Sequence, residues 1–226
     1  MSRNVRRGIF FDLDGTLADS VGVMRRVFDN FAQSCGREAS DAEFDAANGP
    51  PMVIFVAALK RNWELPQPLD ELQRRYSALI DAAYLDVMPT NGAVATLESA
   101  FRNGWSVGLV TSNTAVRSRA WLARTRLAQF VDIVVGSEDV CLGKPEPEPY
   151  RIALARSGCA RELSIAVEDS LHGTRSATAA GLRTFALHAA DSSQIEWPEG
   201  VRLIESLEEL IPELSRQRAR RVAGLR

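Results

Sequence analysis

Cysteine and histidine are scarce in this 226-residue chain, and the scarcity excludes whole classes of chemistry. Cys35, Cys141 and Cys159 are an odd number without paired metal-ligand spacing, so they read as reduced thiols in packing positions rather than as a disulfide framework or a zinc site. His172 and His188 are too few for most Ser-His hydrolase, zinc-hydrolase or multi-histidine iron schemes, and the pattern around them gives each only a structural or surface place. No run of about 18 apolar residues is present to cross a bilayer. The first residues lead into an acidic strand end with no secretory apolar region or cleavage site, so a cytoplasmic protein is expected. Neither sign of charge dominates: 27 Lys and Arg against 29 Asp and Glu leave a net charge of -2, which points to neither nucleic acid nor an anionic membrane as partner. The one biased stretch, the Arg-rich segment 216–226, reads as a solvated helix end that frays rather than as a nucleic-acid arm. The default partner is then a small molecule, and hydrolytic chemistry, if any, must lean on carboxylates.

What the chain does have is a set of short apolar runs that end in polar or small residues. Segment 8–11 ends on Asp12 with Gly15 close behind; 105–110 ends at Thr111, 131–135 at Gly136, 164–167 at Glu168 and 183–187 near His188. Between them, segments 93–102, 115–126, 147–157 and 173–180 carry helical periodicity. Alternating strand and helix predicts right-handed crossovers and a parallel sheet with helices on both faces. Ligands then bind beyond the carboxyl ends of the strands, where Asp12, Thr111, Glu168 and Asp169 become neighbours. The rhythm breaks between 21 and 87, which contains no convincing strand. Val23, Val27, Phe28 and Phe31 share one helix face, 52–59 and 69–84 supply further helices, and Asn48-Gly49-Pro50-Pro51 and Pro66-Gln67-Pro68 punctuate them. At 226 residues and 46% hydrophobic content, one good-sized core and a smaller lobe can both be buried.

Asp12 and Asp14 stand two apart where a buried strand meets a glycine turn. Continuing the strand would put both carboxyls, each with a reference pKa of about 3.9, on one face and raise one of them. A cation or a shared proton relieves that. At this point a resemblance becomes visible. Phe10-Phe11-Asp12-Leu13-Asp14-Gly15-Thr16-Leu17-Ala18-Asp19-Ser20 resembles the first signature of the haloacid dehalogenase superfamily. Leu109-Val110-Thr111-Ser112-Asn113 resembles the second and Gly143-Lys144-Pro145-Glu146-Pro147 the third. Val167-Glu168-Asp169-Ser170-Leu171-His172-Gly173, running on to Ala179-Ala180-Gly181, resembles the fourth. All four occur in order, and the chain as a whole is similar to the phosphatase branch with a helical cap, the group of phosphoglycolate phosphatase and β-phosphoglucomutase.

The fold that the resemblance implies is α/β: a Rossmann-like parallel-sheet core, residues 1–18 and 88–226, with an inserted all-helical cap, residues 19–87. The activity it implies is hydrolysis of a small phosphorylated metabolite, of the phosphoglycolate or sugar phosphate type, through an aspartyl-phosphate on Asp12. Asp14 would protonate the leaving oxygen and then accept a proton from water. Thr111, Ser112 and Asn113 would hold phosphate at a strand end that enters a helix N-terminus, and Lys144 would add a mobile positive charge. Mg²⁺, a hard ion that takes one or two carboxylates plus phosphate, would be bound by Asp12 and Asp169, with the Asp14 backbone carbonyl as a third ligand and Glu168 as a helper.

Within the superfamily, Asp14 argues against a dehalogenase or a phosphonate-cleaving enzyme, which lack that aspartate; the latter also need a cap lysine, and Lys60 does not sit in a similar motif. A sugar-phosphate mutase keeps both aspartates but carries a histidine in the first cap helix, where this chain has Met24. A receiver-like phosphoacceptor module is the alternative from another class, and it needs neither the inserted helices nor a proton shuttle. A silent binding protein would lack some motif residue. Arg25, Arg26, Asn48 and Arg61 are candidates for reading the substrate, with exposed surface positions the stronger reading for each. The cap is expected to close over the site and exclude water. The sequence does not choose between a monomer and a homodimer.

Overall fold

Apolar runs without charges bury both faces of a strand, the condition of a parallel sheet covered by helices. A computed structural model, which describes residues 6–47, 51–188 and 196–215, has that arrangement. The strands are β1 (Gly8–Phe11), β2 (Ser106–Val110), β3 (Ile133–Val135), β4 (Ile165–Glu168), β5 (Arg183–Leu187) and β6 (Arg202–Ile204). They pair in the order β3-β2-β1-β4-β5-β6, every pair parallel. β6 has no counterpart among the expected strands, because it is three residues long, lies on the edge and leaves Arg202 and Leu203 exposed. Trp105 and Ser164 fall just outside their strands. The Ser164 hydroxyl instead accepts from Gly8 N at 3.0 Å and donates to the Ala160 carbonyl at 2.7 Å, tying the start of β4 to that of β1.

Between β1 and β2 the chain inserts α1 (Val21–Ser34), α2 (Asp41–Ala47), α3 (Met52–Asn62) and α4 (Leu69–Ala83). The crossovers of the sheet then supply α5 (Ala93–Arg102), α6 (Ala115–Arg124), α7 (Glu148–Ser157) and α8 (Leu171–Ala179). α6 stops two residues short of its periodic pattern, since Arg126 adopts a left-handed φ of 61°. α8 begins two residues early because the Ser170 side chain caps it, accepting from Gly173 N at 3.0 Å. α2 was not expected, although Ser40 and Glu43 form a reciprocal capping pair, Ser40 N to Glu43 Oε2 at 3.0 Å and Glu43 N to Ser40 Oγ at 3.3 Å.

Alternation along the strands divides the core in two. Phe10, Val110, Val135 and Ala166 pack with Tyr150 and Ala153 of α7 and Ala177 of α8. Ile9, Phe11, Leu109 and Val167 point the other way, into a larger cluster with Leu97 of α5 and Trp121 of α6 that continues into the inserted helices. There Phe28 is a hub, its ring centroid 5.9 Å from Phe44, 5.6 Å from Phe55 and 6.0 Å from Trp63, while Phe31 meets Tyr76 edge-on at 5.0 Å. Of the three cysteines, all free, Cys35 and Cys159 are half-buried as packing residues should be; Cys141 is exposed, which corrects that expectation. No helix among the described residues is long and apolar enough to cross a membrane. The Asn48-Gly49-Pro50 turn and the Arg-rich segment 216–226 lie outside the described residues.

Phe28 joins α1, α2 and α3 through aromatic contacts, so truncating it empties the centre of the insertion. Phe28→Ala is expected to cost about 3–5 kcal/mol, measured as a shifted urea midpoint; a midpoint equal to wild type would mean that the insertion is not packed around this ring.

Candidate active site

The strand order reverses between β1 and β4, and a crevice opens at such a point beyond the carboxyl ends of the strands. Asp12 is the first residue past β1, its N–H donating to the Val167 carbonyl at 2.9 Å, while β4 ends on Glu168 with Asp169 next. The topology therefore brings these three carboxylates together although 156 and 157 positions separate them along the chain. One oxygen from each of Asp12, Glu168 and Asp169 lies within 4.8 Å of the others. Lys144 enters from the loop ahead of α7 and spends all three ammonium protons there: on Asp12 Oδ1 at 2.5 Å, on Glu168 Oε1 at 2.6 Å and on the Val110 carbonyl at 2.9 Å. The expected mobile lysine is in fact fixed and buried. The reason is charge: a desolvated ammonium beside two carboxylates has no better place to go.

Two glycines make room for this packing. Gly15 has a φ of +79°, which an L side chain resists, and a Cβ there would collide with the Asp169 carboxylate. A Cβ on Gly173 would collide with Glu168. Glu168 is fully buried, and Tyr150 Oη donates to its Oε1 at 2.5 Å. Its Oε2 is buried without a hydrogen-bond partner.

With Asp14, four carboxylates converge against a single ammonium. Burial first, then repulsion from Glu168 and Asp14, raises Asp12 to about 7 despite the attraction of Lys144. Burial and the charges of Asp12 and Glu168 push Asp169 well above the usual carboxylate range. Burial alone would lower Lys144, but Asp12 and Glu168 more than reverse it, and the ammonium stays charged. Burial and the negative charge gathered there account for all three shifts. A cation relieves the charge, and the donor set is right for a hard one: three carboxylates with an oxygen each within 4.8 Å of the others.

Asp14 belongs to a second group. Ser20 Oγ donates to its Oδ1 at 2.7 Å, the Tyr84 hydroxyl donates to the same oxygen, and Asn113 Nδ2 lies 3.4 Å from Oδ2. Its carboxylate is therefore not among the three clustered oxygens, so any share in a metal site falls to its backbone carbonyl. Burial, then the Asp14 charge, pushes the Tyr84 phenol far up, which keeps it a donor. The Thr111 hydroxyl accepts from Asn113 N at 3.0 Å, leaving its proton to donate. α6 begins three residues later than the Thr111-Ser112 turn, with Thr114 as its cap, so that turn lies ahead of the helix N-terminus rather than in it.

A cavity of about 550 Å³ opens over these groups, lined by Asp12, Asp14, Thr111, Ser112, Asn113, Lys144 and Asp169; Glu168 lies behind them. The inserted helices contribute Met24, Phe44, Asp45, Met52, Phe55 and Tyr76. His172, for which a structural or surface place was expected, is half-buried and lines the cavity. Arg25, Arg26 and Arg61 do not: Arg25 pairs with Asp29 and Asp41, and the other two are exposed. Asn48 lies outside the described residues. Sequence reasoning missed Tyr84, Tyr150 and Arg117. Of the three tyrosines in the chain, two donate to site carboxylates and the third, Tyr76, lines the cavity, but no sequence pattern marks them.

The sequence model of a family described as haloacid dehalogenase-like hydrolase matches residues 9–187. A phosphoglycolate phosphatase of Cereibacter sphaeroides is 34% identical over 188 residues, covering 80% of this chain and 84% of the relative. Protein CbbY of the same organism is 27% identical over 216 residues, covering 89% and 93%. The crystal structure of CbbY from Rhodobacter sphaeroides in complex with phosphate matches with a TM-score of 0.78 at 25% identity, over 91% of this chain and 96% of that one.

Removing the lone cation leaves Asp12 and Glu168 buried and unpaired. Lys144→Met, in chelator-treated protein, is expected to lose about 3–5 kcal/mol of stability, and adding Glu168→Gln should recover part of it. Denaturant midpoints decide; an unchanged midpoint for the single variant would mean that the buried triad does not exist.

Proposed function

The chain belongs to the haloacid dehalogenase-like hydrolase family and is a phosphatase of that family, and we propose that it hydrolyses a small phosphorylated metabolite in two steps through an aspartyl-phosphate on Asp12. The observation that carries the reading is the convergence of Asp12, Glu168 and Asp169 around Lys144 at the switch point of the sheet. In the first step an Asp12 carboxylate oxygen forms a bond to phosphorus while the bond to the leaving oxygen breaks, and Asp14 gives that oxygen its proton. In the second, water attacks phosphorus, the bond to Asp12 breaks, and Asp14 takes a proton from the water. Thr111 and Ser112 bind the phosphoryl oxygens, Thr111 through the proton its own turn leaves available, with Asn113 beside them in the cavity wall and its amide turned to Tyr84 and Asp14. Lys144, its protons committed, contributes a fixed positive charge.

Mg²⁺ is the cation proposed for the site; Asp12 and Asp169 would hold it with the Asp14 carbonyl, and Glu168 would help. When bound it neutralises charge between carboxylates and phosphate, allowing one anion to approach another. Acid-base help supplies only ~10²–10⁴ in rate, so most of the acceleration must come from such neutralisation and from positioning.

Residues 19–87 are assigned as the cap and 1–18 with 88–226 as the core. The backbone supports this division: Asp19 N donates to the Met88 carbonyl and Thr90 N to the Leu17 carbonyl, both at 2.9 Å, so the chain leaves and re-enters the core side by side. Two such adjacent crossings suit a hinge, and closure of the cap over the cavity would exclude water. For the substrate the proposal is phosphoglycolate or a sugar phosphate, and the phosphoglycolate phosphatase of Cereibacter sphaeroides supports the first. Met24 in the cavity wall favours plain hydrolysis over a mutase, because it offers no proton-transferring group. A receiver-like module would have no use for the inserted helices.

A screen of phosphorylated metabolites with Mg²⁺ tests the whole reading. Release of inorganic phosphate should vanish with chelator and return with Mg²⁺. Asp12→Asn should lower turnover by about a thousandfold or more, the scale of losing one member of a catalytic unit. Wild-type turnover in Asp12→Asn would falsify the covalent route.

A further inference from the structure

Asp14 is held by donors from three parts of the chain, and one of them belongs to the inserted helices. Ser20 Oγ and Tyr84 Oη both donate to Oδ1; Asn113 Nδ2 donates to Tyr84 Oη at 2.9 Å and lies 3.4 Å from Oδ2. Tyr84 is the C-terminal cap of α4, just ahead of the return to the core, and it is buried. Its backbone is pinned from α6: Arg124 donates to the Tyr84 carbonyl at 3.1 Å and also to the Val87 carbonyl, which Trp121 Nε1 reaches at 2.9 Å.

Arg117, on the same helix and with a side chain only 9% exposed, spans the junction. It donates to Asp81 at 2.7 Å and Ser77 Oγ at 2.9 Å, both on α4, and to Asn113 Oδ1 at 2.6 Å. Asn113 Oδ1 also accepts from Thr114 N at 2.9 Å. Two donors on that oxygen fix the amide, because a flipped group would set its own N–H against them. Nδ2 is thereby aimed at Tyr84 and Asp14. One guanidinium sets both the seat of α4 and the orientation of the amide beneath it.

The proton on a neutral Asp14 has one place to go. Oδ1 already accepts two hydroxyl protons, so its lone pairs are occupied and the carboxyl proton falls to Oδ2. We propose that Tyr84 is a positioning residue for the acid-base step: its hydroxyl, oriented by Asn113 and Arg117, pins Oδ1 so that Oδ2 exchanges the proton, and only while the last turn of α4 is seated on α6. The proposal rests on the reading of Asp14 as the proton shuttle. Were Tyr84 merely packing under α4, its hydroxyl would matter equally for every substrate.

The leaving group separates the two roles. An alkyl phosphate expels an alkoxide that needs a proton, whereas p-nitrophenyl phosphate expels a stable phenolate that does not. The ratio kcat/KM covers steps up to departure of the leaving group, so later hydrolysis of the phosphoenzyme does not enter it. Tyr84→Phe keeps the ring and removes the hydroxyl. Its kcat/KM for the alkyl phosphate should fall about ten- to a hundredfold and that for p-nitrophenyl phosphate by no more than about threefold, a share of the ~10²–10⁴ general acid-base effect. Asp14→Asn should show the same selectivity, more strongly, and adding Tyr84→Phe to it should cost nothing further. Equal losses on both substrates, or additive losses in the double variant, would overturn the assignment of Tyr84 and leave Asp14 as the shuttle. An Asp14→Asn variant without selectivity would instead sink the shuttle reading, and this proposal with it.

Discussion

A surplus of buried negative charge governs the architecture of this protein. Four carboxylates meet beyond the ends of β1 and β4, and Lys144 is the ammonium set among them. Lys144 and Lys60 are the only two lysines in the chain. An ion taken out of water costs several kcal/mol even after relaxation, and breaking a buried pair leaves that penalty uncompensated. The site persists because the compensation is built into elements that cannot move independently: a strand end, the adjacent strand end, a loop lysine whose protons are all engaged, and two glycines whose missing Cβ atoms leave space for carboxylates. The compensation is incomplete. Asp12 and Asp169 are pushed up and one Glu168 oxygen is buried without a hydrogen-bond partner, a surplus that a cation would relieve.

The same constraint explains local choices that propensity alone does not. Ser20 occupies the N-cap position of α1, where a serine side chain ordinarily accepts from the helix backbone, yet it makes no such bond and donates to Asp14 instead. Tyr150 sits in the most enclosed part of α7 with its hydroxyl on Glu168, so a phenol stands where an apolar helix face would otherwise carry a hydrocarbon. In each case a polar group has been taken from the service of its own helix and given to a carboxylate.

These displaced groups also mark the limit of what the sequence reveals. Five of the six strands and the crossover helices are legible because burial requires uninterrupted apolar runs, and 183–187 and 93–102 have the very ends expected of them. β6 is not legible: β3 is an equally short edge strand but buries two of its three residues, whereas β6 buries only Ile204. α2 carried a readable sign in Ser40 and Glu43, but one core anchor, Phe44, is too little for periodicity. The residues at the strand ends could be placed together from topology alone. The partners of Asp14 could not, because Tyr84 and Asn113 lie 70 and 99 positions away and nothing local distinguishes a site tyrosine from a packing one. Lys144 was identifiable as a site residue, whereas its immobility follows only from the distances to three acceptors.

Carboxylates in the site divide by what anchors them, and the division has a mechanical meaning. The contacts of Asp12, Glu168 and Asp169 come from the sheet, its loops and α7, so the carboxylate cluster does not depend on the inserted helices. Asp14 takes one of its hydroxyl donors from α4, and that helix is bound to α6 through Arg117 and Arg124. A single carboxylate is thus the point at which the position of the insertion enters the chemistry. In the mechanism proposed, the groups that would bind and neutralise phosphate belong to the core, whereas the carboxylate that would direct a proton to the leaving oxygen is also held from α4. Such coupling would tie proton transfer to an enclosed, dry cavity, which is where an oriented carboxyl proton is most effective.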